Sequence, residues 1–247
     1  MLKKMGFLMT LIGCNVYSMA ADQTTSWSYH GNSAPEYWGI LAPEYATCNG
    51  YNQTPINITG SIDAQLPNLN IDYPSHAHTI INNGHTIQIA YTDGSSIEVD
   101  GERFALKQMH FHTPSENHIE GQSFPMELHL VHANAAGALA VIGVMFEYGQ
   151  AHPQLKQLWQ NMPKTKNQPK VIHTPNPIIA TEFLPKKQDY YRFSGSLTTP
   201  PCSEGVRWLV MKQPLQASKD QIQQFDEVMG THTNRPLQNL NGRMIVH

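Results

Sequence analysis

Gln108-Met109-His110-Phe111-His112 is followed, after a segment containing Pro114, Gly121 and Pro125, by Glu127-Leu128-His129-Leu130-Val131-His132. Both runs read as strands. Side chains alternate faces along a strand, so His110 and His112 point the same way while Phe111 points into the opposite layer. The proline- and glycine-containing segment lets the chain turn back antiparallel, which sets His129 beside the first pair. Three neutral imidazoles on adjacent strands, with a fourth position left to water, have the composition of a catalytic zinc site with one ion per chain. His132 lies three residues beyond His129, on the other face, and reads as structural. Glu127 shares a face with His129, and Gln108 with His110. Ligating imidazoles usually need an acceptor for their second ring nitrogen, which Glu127 and Gln108 are placed to supply. For both, the alternative is a rim position reaching solvent.

Working outward, other runs also alternate or stay apolar for strand lengths: Thr86–Tyr91, Ser96–Val99, Ala105–His112, Met126–His132 and Ala138–Tyr148. Asn82-Asn83-Gly84 and Asp93-Gly94 are turn signals between them. Helical patterns are few. Pro153–Asn161 opens on a helix-compatible proline, and Ser218–Met229 carries Ser218 and Gln221 at capping-box spacing. The fold class is therefore mainly β within an α+β single domain, with a few short peripheral helices. No repeat or low-complexity linker divides the 247 residues. Only 14% are charged, and the formal net charge of −3 argues against a nucleic-acid partner, since phosphate neutralisation needs a basic surface.

The first twenty residues read as a signal peptide rather than as fold. Lys3 and Lys4 form a positive head, an apolar stretch follows, and Ser18-Met19-Ala20 places small residues at a cleavage site. Cleavage after Ala20 leaves a domain of residues 21–247 with net charge −5, exported to the periplasm or secreted. A competing reading is a lipobox at Leu11-Ile12-Gly13-Cys14, which would tether the protein through Cys14. No later stretch approaches the roughly 18–20 apolar residues of a spanning helix. Loss of Cys14 leaves Cys48 and Cys202, which read as a disulfide in an oxidising compartment, two free buried thiols being the alternative.

Four blocks resemble, in order, the alpha class of carbonic anhydrases of bacterial type: Gln53-Thr54-Pro55-Ile56-Asn57-Ile58, Asn82-Asn83-Gly84-His85, Gln108 through Asn117, and Ser196-Leu197-Thr198-Thr199-Pro200-Pro201-Cys202. Glu127 to His132 completes the pattern. The resemblance implies a large, mostly antiparallel twisted central sheet with zinc in a conical cleft. It implies reversible hydration of carbon dioxide to bicarbonate by zinc-bound hydroxide. His110, His112 and His129 match the family's zinc ligands. Thr198 matches the threonine that accepts a hydrogen bond from hydroxide, and Glu116 the carboxylate to which that threonine donates. His85 matches the proton shuttle; following a turn into a strand, it is expected at an exposed edge. Val131, Val141, Leu197, Thr199 and Trp208 match substrate-binding positions, and Tyr29, Asn83 and Gln88 the ordered-water network. Cys48 and Cys202 match a bacterial disulfide, and a homodimer is a state such relatives often adopt. The chain departs from the family at Gln88, often asparagine, and at Thr233-Asn234-Arg235-Pro236, usually richer in asparagine.

Two other readings use the same residues. His110-x-His112-x-x-x-Glu116 also resembles the first cupin motif, in which the glutamate ligates iron or manganese directly; the glycine expected before the second motif's histidine is missing from Pro125–Leu128. A non-catalytic periplasmic zinc-binding protein is the third, and it would not need Thr198, Glu116 and His85 together.

Overall fold

The computed structural model describes residues 26–247. The leader reading of residues 1–20, the lipobox at Leu11–Cys14 included, lies outside the described residues. Strands β1 (Asn57–Ile58), β2 (Asn70–Asp72), β3 (Ala77–Asn82), β4 (Ile87–Tyr91), β5 (Ser96–Val99) and β6 (Glu102–His112) come first. They are followed by β7 (His118–Ile119), β8 (Met126–Ala133), β9 (Leu139–Tyr148), β10 (Lys170–Val171), β11 (Tyr190–Ser196), β12 (Glu204–Met211) and β13 (Leu215–Ala217). The α-helices are α1 (Trp38–Leu41), α2 (Pro153–Asn161) and α3 (Lys219–Met229).

Eleven strands form one sheet. Its spine runs β10-β3-β4-β6-β8-β9-β12-β11, with β5 beside β6, β2 beside β5 and β13 beside β9. Every pairing in it is antiparallel except the two that β9 makes with β12 and β13. A mainly β fold with a mostly antiparallel central sheet is therefore what forms. The turn chemistry explains the β3–β4 hairpin: Asn82 Oδ1 accepts from Gly84 N–H, Asn83 Oδ1 accepts from His85 and Thr86 N–H, and Gly84 takes φ +90°, a conformation that costs glycine little. Strand β4 begins one residue later than the sequence predicts. Thr86 turns its hydroxyl onto the Phe111 carbonyl at 2.6 Å, where a ladder bond would otherwise lie.

Helices α2 and α3 cover one face. Leu155, Leu158 and Trp159 of α2 and Ile222, Phe225 and Met229 of α3 join Met109, Phe111, Leu128 and Leu130 in the main core. The Phe111 ring stands edge-on to Trp159, Phe183 and Phe225, in the layer opposite the histidines. One irregularity decides which side chains reach that layer. The β6–β8 register shifts between Leu106 and Gln108, a bulge at Lys107. Phe104 and Leu106 before it, and Met109 and Phe111 after it, all enter the core. Unbroken alternation would have put Phe104 and Leu106 on the face of His110 and His112. Among the described residues no helix is long and apolar enough to cross a membrane.

Candidate metal centre

Strand register brings the histidines together. His110 stands directly opposite His129, and His112 opposite Glu127. The three rings form a near-equilateral triangle, with centroids 5.0, 5.2 and 4.7 Å apart. One ligating atom from each lies within 4.8 Å of the others. Two of the imidazoles have their second nitrogen hydrogen-bonded elsewhere, and the third has its own against a carboxylate. His110 Nδ1 is 2.8 Å from Gln108 Oε1, His112 Nδ1 is 2.5 Å from the Thr233 carbonyl, and His129 Nε2 is 3.0 Å from Glu127 Oε1. That leaves Nε2 of His110 and His112 and Nδ1 of His129 facing one another. His112 Nε2 is buried and has no hydrogen-bond partner, a cost that native structures seldom carry without an unseen ligand.

Burial pushes all three imidazoles down, His112 to about 4 against the pull of the Thr233 carbonyl and Glu127, and the other two well below the ordinary value, His110 helped by His112 and His129 and His129 by His112. They are neutral at physiological pH and present lone pairs, the form that binds metal. The donor set and its spacing fit a zinc ion held by three nitrogens with an open fourth position. Gln108 is a half-buried residue and Glu127 a fully buried one, so the solvent-reaching alternative fails for Glu127.

Glu127 is held by three donors. Its Oε2 accepts from the Glu116 and Asn117 backbone N–H groups, both at 2.8 Å, and its Oε1 accepts from Asn117 Nδ2 at 2.8 Å beside His129. Burial raises its pKa, and the Asn117 and Glu116 donors oppose that. Glu116 is also buried. Its Oε1 accepts from Arg235 N–H at 2.9 Å, and its Oε2 lies 3.4 Å from His112 Nε2 and 3.9 Å from His129 Nδ1. Burial pushes this carboxyl well up, and hydrogen bonding from Arg235 and the Thr198 side chain pulls it back.

An apolar row borders the triad. Val131, Val141, Trp208 and Phe193 stand in register across β8, β9, β12 and β11. Trp208 packs edge-on to His129 at 4.9 Å, and Leu197 packs on the same cluster. Thr198 and Thr199 lie on the loop after β11, where Cys202 N–H donates to the Thr199 carbonyl. Cys48 and Cys202 are bonded, with Cα atoms 4.9 Å apart and a sequence separation of 154.

His85 is not at the exposed edge the sequence predicts. It lies in the turn before β4, a strand inside the sheet between β3 and β6. The ring is half-buried, stacked on Trp27 with centroids 3.7 Å apart and planes 13° from parallel. Burial, then Lys166, lower its pKa. Tyr29 packs against both Trp27 and His85, and its hydroxyl is buried without a partner. Gln88 stands opposite His110 on β4, and Asn83 spends its carbonyl on the turn before His85. His132 is on the core side, with Nε2 2.7 Å from the Tyr73 hydroxyl.

Sequence reasoning missed the Thr233 carbonyl, Asn117's grip on Glu127 and the Trp27 stack. A backbone acceptor carries no residue signature, so nothing local could reveal the first. The Thr233 departure from the family pattern is thereby explained: the carbonyl does the work whichever side chain is present, and the Thr233 hydroxyl is used on Thr113 N–H at 3.1 Å.

The family model for eukaryotic-type carbonic anhydrases matches residues 33–247. A carbonic anhydrase of Pectobacterium carotovorum is 50% identical over 232 residues, covering 94% of each chain. A hyperthermostable carbonic anhydrase from a hydrothermal vent chimney superposes with a TM-score of 0.87 at 50% identity, over 90% of this chain and 99% of its own. The alpha-carbonic anhydrase of Thermovibrio ammonificans, solved with the inhibitor sulfanilamide, gives a TM-score of 0.87 at 44% identity, over the same 90% and 99%.

Proposed function

The chain belongs to the eukaryotic-type, or alpha, carbonic anhydrase family, and we propose that it hydrates carbon dioxide reversibly at a zinc ion held by His110, His112 and His129. The observation that carries this reading is the convergence of three neutral imidazoles whose outer nitrogens face Gln108, the Thr233 carbonyl and Glu127. Zinc in such a site lowers the pKa of a coordinated water from 15.7 to about 7, which makes a nucleophile available at neutral pH.

The chain's own residues supply the rest. Glu116 as a carboxylate only accepts, so it fixes the Thr198 hydroxyl proton toward itself. The Thr198 oxygen is left to accept, and only an attacking oxygen that still carries a proton can donate to it. Arg235 N–H and Thr198 pull the Glu116 pKa down against burial, and the positive charge of a bound ion would add to that pull. Carbon dioxide offers no strong hydrogen-bonding handle, and Val131, Val141, Leu197 and Trp208 offer it an apolar wall, with Thr199 at the adjoining loop. His85 takes the proton released in each turnover, through water ordered by Tyr29, Asn83 and Gln88. The cupin reading is disfavoured by the match to the carbonic anhydrase family over residues 33–247.

Residues 1–20 act as a cleaved signal, which puts residues 21–247 in the periplasm or medium; the Cys48–Cys202 bond supports an oxidising compartment. Stopped-flow hydration of carbon dioxide tests the whole reading. Activity is expected to vanish on chelation and return with stoichiometric zinc. Full zinc occupancy without hydration would leave only a binding protein, and restoration by iron alone would favour the cupin alternative.

A further inference from the structure

Arg235 is 2% exposed. Its guanidinium makes three hydrogen bonds: Nη1 donates to Gln53 Oε1 at 2.8 Å and to the Thr54 carbonyl at 2.9 Å, and Nη2 donates to the Cys48 carbonyl at 2.9 Å. Each of these acceptors is fastened to the loop between β11 and β12. Thr54 and Ser196 exchange two bonds, each backbone N–H donating to the other's hydroxyl at 2.9 Å. Gln53 Nε2 donates to the Cys202 carbonyl at 3.1 Å. Cys48 is joined covalently to Cys202. Thr198 lies between those two anchors, Ser196 and Cys202. The backbone N–H of Arg235 meanwhile donates to Glu116 Oε1 at 2.9 Å.

One residue thus grips the Thr198 loop at both ends with its side chain and the Glu116 carboxylate with its main chain. Stability alone does not call for this arrangement. A buried guanidinium is costly to desolvate, and packed apolar side chains commonly match or exceed such networks in stability. What a planar fork with fixed donors adds is geometry.

We propose that Arg235 is a positioning residue that aligns Thr198 with Glu116, and so sets the site's preference for ligands bearing a proton on the metal-facing atom over ligands bearing none. The proposal rests on the reading of Thr198 and Glu116 given above. It makes Arg235 a determinant of which anions the zinc site rejects.

The test compares two probes on the zinc-loaded enzyme. Sulfanilamide carries an N–H on its binding group; thiocyanate carries no proton. In Arg235→Met, zinc content is expected to stay stoichiometric. Sulfanilamide affinity is expected to fall roughly tenfold or more, the scale of a misaligned site donor or acceptor, with thiocyanate affinity unchanged or higher. Equal weakening of both probes would mean a merely structural role and overturns the proposal, as does an unchanged ratio. Thr198→Val, measured in parallel, separates the two levels. An unchanged ratio there sinks the Thr198–Glu116 reading itself. A ratio that falls in Thr198→Val but not in Arg235→Met leaves that reading standing and removes Arg235. Where Arg235→Met yields no folded protein, Arg235→Lys and Gln53→Met carry the same measurement. The ratio is expected to fall in both, and constancy in both overturns the proposal.

Discussion

Opposite His129 on β9 stands Gly143, and its missing side chain is used. A Cβ there would sit 3.1 Å from Glu127 Oε1 and 3.3 Å from Val210 Cγ2, tighter than ordinary contact. Gly143→Ala should therefore displace the Glu127 carboxylate by a few tenths of an ångström. Disturbing a ligand's outer hydrogen-bond partner typically costs about 10–100-fold in metal affinity. Competition with a chelator should show a loss of that order with the fold retained; unchanged affinity would mean that Glu127 does not orient His129. At the mouth, Trp27 covers the face of His85. Below its pKa a shuttle histidine is protonated and cannot accept, so turnover in weak buffer falls as pH drops through that value. Burial lowers the pKa, which extends the plateau toward acid. Trp27→Ala relieves the burial and should move the acid limb to higher pH. An unmoved limb would dissociate His85 from turnover. Of these details the sequence revealed the polar side chains two residues from a ligand, because period-two alternation places them. It did not reveal Gly143 or Trp27, whose partners are set by distant strand register and by a segment far upstream.

Helix α3 shows how much an element's local grammar can say. Ser218 and Gln221 form the capping box expected from their spacing: Gln221 N–H donates to Ser218 Oγ and Ser218 N–H to Gln221 Oε1. Gln221 also accepts from His152 N–H and donates to the His152 carbonyl, both at 2.8 Å, which ties the start of α2 to the start of α3. Ser218→Ala should cost about 1 kcal/mol. Gln221→Ala should cost distinctly more, because it frees groups on both helices. Urea unfolding of the two variants checks this, and equal losses would show that the α2 contacts contribute nothing. The bounds of α2 and α3 and the strand character of β4, β5, β6, β8 and β9 were legible because apolar periodicity and capping are local. The bulge at Lys107 was not. Nothing in Leu106-Lys107-Gln108 marks an extra residue, and its consequence, moving Phe104 and Leu106 to the helix side, appears only once β8 is paired.

At the scale of the whole molecule, one histidine outside the site contributes to acid sensitivity. His132 is fully buried against Tyr73 and the Ala140 carbonyl, and burial holds its pKa down to about 4. In the unfolded chain it titrates near 6.5. Between those values the unfolded state binds the proton and the native state does not, so stability falls as pH drops from about 6.5 to 4, by up to about 3 kcal/mol. His132→Gln should lose that part of the pH dependence, and parallel stability–pH curves for variant and parent would contradict it. The meeting of His110, His112 and His129 followed from two strand-like runs and a turn, whereas the large, mostly antiparallel sheet followed from the family resemblance. The zinc-site geometry carries the account, and anomalous diffraction at the zinc edge tests it most directly. One peak about 2.0–2.1 Å from Nε2 of His110, Nε2 of His112 and Nδ1 of His129, with a solvent oxygen completing the tetrahedron, is the predicted result. A peak away from those nitrogens, or an ion closed off by Glu116 as a fourth protein ligand, would contradict it.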